Sequence, residues 1–147
     1  MAKSELIQYL TAGVGTSTGN RRSEETFLAS AAITSGDAVS FDFSKSVDGD
    51  KTLYVIKADT DTATAKCFVG VALETQATVG GKIRVCTAGI CDANVDATLA
   101  AAGEALVIGA TGGRLDVYAA ASLLPIAAIS CENDTSNVAT VFVIRQF

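Results

Sequence analysis

Two short alternating runs separated by a glycine turn limit this chain more than any other feature. Val69, Val71 and Leu73 alternate with smaller or polar neighbours, Val79, Gly80 and Gly81 interrupt them, and Ile83 and Val85 then alternate with Lys82 and Arg84. Successive side chains on a strand point to opposite faces, so this is the pattern of a β-hairpin. It predicts that Val69, Val71, Leu73, Ile83 and Val85 share one buried face and that Lys82 and Arg84 meet water. Gly70 and Ala72 leave the other face nearly flat, which lets another backbone approach closely.

The pattern occurs twice. Ala128, Ile129, Ser130, Cys131 and Glu132, followed by Val141 and Val143, lie on residues 70–74, Ile83 and Val85 without a gap, with Glu132 on Glu74. Upstream, Gly103 and Glu104 open an alternating strand as Gly36 and Asp37 do. Two diverged copies of a hairpin-based unit follow, at about 36–87 and 103–145. Between these landmarks, residues 38–43 alternate, Asp48 and Gly49 supply a turn, and residues 53–56 return as a second hairpin. Gly112 and Gly113 turn the chain into a strand over 114–118, and residues 93–102 suit a helical turn or a packed loop equally. Nine to ten short strands with glycine-rich turns predict an all-β chain, a compact antiparallel barrel or sandwich. At 147 residues it is long enough to bury about 70% of its unfolded surface in one domain. We place that domain at 26–147, opening on an edge strand over residues 26–33, and treat 1–25 as a flexible N-terminal arm.

The arm carries an apolar cluster. Residues 13–20 are Gly, Ser and Thr rich, which predicts either a solvated tail or an arm ordered by a partner. Leu6, Ile7, Tyr9 and Leu10 speak for the partner, because a solvated tail has little use for four large apolar residues in five positions. At the other end of the chain, Phe142 and Ile144 make the last strand apolar on both sides, where the first repeat has Arg84 and Cys86. A strand of that kind is expected to be covered on both sides, by the protein's own arm and loops or by a neighbouring subunit. These six residues are the candidate interface.

Chemistry has little to work with. The chain contains no histidine, which removes the usual general base, the imidazole metal ligand and every Ser-His or Cys-His pair. Of four cysteines, no two have the two-residue gap of a zinc knuckle or redox motif, and they read as buried small hydrophobes kept reduced. Asp48 with Asp50, and Asp59 with Asp61, are carboxylate pairs in turn segments, where Asp is favoured for local backbone bonds. The glycine runs at 13–15 and 109–113 lack the Lys-Ser/Thr ending of a phosphate loop. We therefore expect no catalysis, metal or cofactor. The net charge of −5 and the absence of a basic stripe argue against nucleic acid, which is bound by neutralising phosphates. No apolar run approaches the 18 residues needed to span a bilayer, and the N-terminus lacks the pattern of a secretory signal, so we expect neither membrane insertion nor export.

The succession SGDAVSFD, FVGVALETQATVGGKIRVCTAGI, AAGEALVIGATGGRLDVYAA, PIAAISCENDTSNVATVFVI resembles the capsid cement, or head decoration, proteins of tailed bacteriophages over about residues 26–147. Ser35-Gly36-Asp37 and Val69-Gly70-Val71-Ala72 match that family's strand start and hairpin. Ala102-Gly103-Glu104 substitutes Glu for Asp, Ala127-Ala128 stand where the family often keeps Gly, and the arm is a departure from its compact members. The resemblance implies a small β-barrel on the outside of a phage capsid, often a trimer, that clamps neighbouring copies of the major capsid protein. The competing reading is a head-fibre or adhesin-like β domain that meets a host surface. Without Trp and with three Tyr, the chain lacks the stacking platforms of a carbohydrate site.

Overall fold

The computed structural model describes residues 22–63, 65–96, 102–119, 124–133 and 136–146. The elements, in order, are β1 (Arg22–Ala29), β2 (Ala38–Phe41), α1 (Asp48–Lys51), β3 (Tyr54–Lys57), β4 (Phe68–Ala72), β5 (Lys82–Asn94), β6 (Ala105–Ile108), β7 (Leu115–Val117), β8 (Ala128–Ser130) and β9 (Val138–Val143). Residues 22–25, expected in the arm, belong to β1. Nor is β1 an edge: it pairs with β3 in parallel and with β5 in antiparallel fashion. Its charged opening hides the strand in the sequence, since only Phe27 and Ala29 turn inward to the core.

The sheet runs β1-β3-β2-β4-β5-β9-β8-β6-β7, and the added β1–β5 pairing closes the first five strands into a barrel. β5 is 13 residues long and serves both halves. Residues 82–89 pair with β1, and Gly89 to Asn94 pair with β9. Just beyond, Val95 bridges Leu115 in parallel, as Ala29 pairs with Val55. The correspondence extends to single bonds. Gly36 N–H donates to Ala72 O at 2.8 Å and Gly103 N–H to Ser130 O at 2.7 Å. Both glycines hold positive φ, +88° and +91°. Asp96 N–H donates to Leu115 O and Ser30 N–H to Val55 O, each at 2.8 Å.

One detail of the expected repeat shifts. Glu74 Oε1 accepts Arg84 N–H and Glu132 Oε1 accepts Thr140 N–H, both at 3.0 Å, so Glu132 does fall on Glu74. The span from that carboxylate to its partner is ten residues in the first hairpin and eight in the second. Val141 therefore corresponds to Val85, and the ungapped match to Ile83 is two residues out. The stretch expected to be a helical turn or loop is also corrected in part: residues 93 and 94 finish β5 and Val95 bridges β7, while 97–101 lie outside the described residues.

Two apolar cores result. Phe27, Ile33, Val39, Val55, Val69, Ile83 and Val85 fill the first, and Phe68, Val71, Leu106, Ile108, Leu115, Val141 and Val143 the second. The hairpin valines thus divide between cores: Val69 with Ile83 and Val85 in one, Val71 and Leu73 in the other. A register shift between Val39 and Ser40 on the β2–β4 ladder explains the three-residue spacing from Phe68 to Val71 on one side and from Val69 to Ala72 on the other. β4 is buried along its whole length because both its faces are covered.

The halves are also tied by polar bonds. Asp37, only 4% exposed, accepts from Thr34 N–H (2.8 Å), Asn94 Nδ2 (2.9 Å) and Lys57 Nζ (2.9 Å). Asn94 N–H donates to Gly36 O and Ala38 N–H to Gly113 O, each at 2.8 Å. The Gly-Asp strand start is thus a joint between the two halves as well as a turn.

Candidate interaction surface

Val141 and Val143 point into the second core, so the residue between them points out. Phe142 is 47% exposed, and the arm expected to cover it lies outside the described residues. Its neighbours extend the apolar surface. Ile90 on β5 and Ile129 on β8 lie directly opposite Phe142 on either side, which makes an apolar row across three adjacent strands. Ile129 is 38% exposed and Ile90 half-buried. Ile144, the residue after β9, is half-buried, and its N–H donates to Ala127 O at 2.9 Å. A polar pair borders the row where Thr140 Oγ1 donates to Asp92 Oδ1 at 2.9 Å. Of the six candidate residues, the structure places Phe142 and Ile144 together; Leu6, Ile7, Tyr9 and Leu10 lie outside the described residues. Reading the last strand alone misses Ile90 and Ile129. The alternation of Ala128, Ile129 and Ser130 carries the signal for Ile129, since a large apolar residue between two small inward ones must face out.

A cleft of about 240 Å³ opens where the two halves meet, lined by Arg22, Arg84, Cys91, Asp92 and Thr140 among others. Its cations are already matched. Arg22 Nε lies 2.6 Å from Glu24 Oε1, and Arg84 spans Glu24 and Glu74 at 3.3 Å each. The cleft thus offers an anion no unpaired guanidinium.

The carboxylate pairs act locally. Asp59 Oδ1 accepts Asp61 N–H at 2.8 Å, and Asp48 Oδ1 pairs with Lys51 Nζ at 2.6 Å across α1. Among the described residues no group of three or more His, Cys, Asp or Glu is placed to hold a metal, and no helix is long and apolar enough to cross a membrane.

The four cysteines are unbridged. Cys86 and Cys91 are buried as expected, whereas Cys67 and Cys131 are exposed, because both follow or precede a strand end where the chain leaves the core. Gly89 has φ +97°, and the β1–β5 register shifts between Ser23 and Glu24. This bend brings Cys86 and Cys91 together although five positions part them. The hydrogen bond with Cys86, together with burial, pushes the Cys91 thiol far up, so Cys86 is the first of the two to ionise.

No family model and no curated protein matches the chain. Among solved structures it is similar to the head fiber gp8.5 N base in bacteriophage phi29, with a TM-score of 0.54 and 12% identity, over 84% of this chain and 94% of that one. At that identity the likeness is one of fold.

Proposed function

We propose that this chain is a structural protein of a tailed-phage virion, bound to the outer surface of the capsid, where it cements contacts between major capsid protein subunits. The observation that carries the reading is the likeness in fold to a head-fibre base across 84% of the chain. The cement-like succession of motifs over residues 26–147 points to the same kind of particle. The mechanism requires no reacting group. A ligand that binds the assembled lattice and not its separated subunits stabilises the lattice by its binding free energy, about 3–4 kcal/mol per site at 100 to 1,000 times Kd. A trimer adds to this, since its several contacts act at high effective concentration. Leu6, Ile7, Tyr9, Leu10, Phe142 and Ile144 are the apolar groups this reading assigns to the capsid or to a second subunit.

The second reading is a head-fibre base or adhesin-like domain that serves a host-facing structure, and the likeness to a head-fibre base favours it. Purified protein is incubated with emptied capsids and, separately, with host cells, and each is pelleted. Cementing predicts co-sedimentation with capsids and a higher melting temperature for the decorated shell. Binding to cells alone, or to capsids without any gain in their stability, rejects it.

A further inference from the structure

The apolar row on the second half of the sheet and the apolar cluster upstream of the first strand lie within reach of each other. The described chain begins at Arg22, whose partner on β5 is Gly89, and the next residue of β5 is Ile90, the first member of the row. Eleven residues separate Leu10 from Arg22, so Leu10 can lie as far as about 40 Å from Arg22 when the chain is extended. The row from Ile90 through Phe142 to Ile129 crosses two strand spacings, roughly 10 Å. Reach is therefore ample, and the arm enters at the near end of the row.

We propose that residues 6–10 of the same chain dock on the Ile90–Phe142–Ile129 face of the free protein. Three observations fix the occupant. The face is apolar in three adjacent strands, and among the described residues Phe142 and Ile129 are left 47% and 38% exposed. The only run upstream of β1 with large apolar residues is Leu6, Ile7, Tyr9 and Leu10. A tether this short holds it at an effective concentration in the millimolar range, which a second copy reaches only in concentrated solution. The polar border at Asp92 and Thr140 suits the single polar member of the run, Gln8, at the margin of the site. The inference stands apart from the virion reading, because it concerns the protein alone in solution.

The test is methyl NMR on the full chain. Nuclear Overhauser contacts are expected from the Leu6, Ile7 and Leu10 methyls to the Ile90 and Ile129 methyls and the Phe142 ring within one chain. The Leu6→Ser/Ile7→Ser/Leu10→Ser variant loses them, and its Ile90 and Ile129 methyls become several-fold more sensitive to a soluble paramagnetic agent. The backbone spectrum of residues 22–146 should stay in place, which controls for folding. Phe142→Ser, changed at an exposed site, should release the arm methyls without altering the barrel spectrum. Contacts found only between differently labelled copies in a mixed sample overturn docking within the chain in favour of exchange between copies. Absence of contacts, with equal paramagnetic sensitivity in wild type and variant, overturns the docking itself.

Discussion

Gly70 is the residue least able to change. A Cβ built there would lie 2.1 Å from the carbonyl oxygen of Cys86, and backbone cannot move aside as a flexible side chain can. Gly70→Ala should therefore cost about 1–3 kcal/mol or more, on the order of 3–10 °C in melting temperature. Gly49→Ala, where nothing lies within 4 Å, should change it by at most about 0.5 kcal/mol in the same circular-dichroism melt. Asp42 governs the acid limb. Its carboxyl is 3% exposed, and Oδ1 accepts from Ser44 N–H at 3.0 Å and from the Ser44 hydroxyl, while Lys45 Nζ lies 3.7 Å from Oδ2. Burial is the largest single influence and opposes ionisation. The Ser30 and Ser44 dipoles, the Ser44 N–H and Lys45 together outweigh it, so the pKa lies below the ordinary aspartate value. Ser30 Oγ makes no hydrogen bond of good geometry, so it acts on Asp42 only through its dipole. A carboxyl with a lowered folded pKa binds its proton more readily when unfolded. Its stabilisation is complete above the unfolded value of about 3.9 and is lost as the pH falls through the folded value. Asp42→Asn should cost roughly 1–3 kcal/mol at neutral pH and flatten the stability profile below pH 4; a profile as steep as that of the wild type would remove Asp42 from the acid limb.

At the scale of elements, alternation in the sequence carried far, and its failures have physical causes. The hairpins at β2–β3 and β4–β5, the Gly-acid strand starts and the repeat could all be read, because period-two patterns and turn glycines are local signals. The division of Val69 and Val71 between two cores could not. It comes from a shift in ladder register, which no single strand encodes. β1 was read four residues short because Arg22, Ser23, Glu24 and Glu25 are polar, and their place in a strand is fixed by β5 rather than by their own pattern. The double use of β5 was missed for a related reason: Thr87, Ala88 and Gly89 look like a break, and they are a bend within one strand. Phe142 was found as an outward apolar residue, yet the row needed Ile90 and Ile129 from two other strands. The bend is testable. Gly89 at φ +97° occupies a conformation that costs an L side chain about 1–2 kcal/mol, and Gly89→Ala should lose about that much by chemical denaturation. A neutral result would mean that β5 can bend elsewhere.

For the molecule as a whole, the sharing of strands decides how it unfolds. Two halves joined by a linker would melt independently, but here β5 pairs in both, and β2 and β4 send side chains into each core. Asp37 and Asn94 add a buried polar joint whose loss would strand a carboxylate. Opening either half thus exposes part of the other, and a partly unfolded state gains little chain entropy for the surface it uncovers. Ile83, in the first core, and Leu106, in the second, are both wholly buried. Ile83→Ala and Leu106→Ala should each cost about 2–5 kcal/mol and lower one common transition. Hydrogen exchange should then report similar opening free energies for the protected amides of β4 and β9. If Leu106→Ala released β9 and β8 while β1 to β4 stayed protected, the two halves would be separate folding units that merely share a strand.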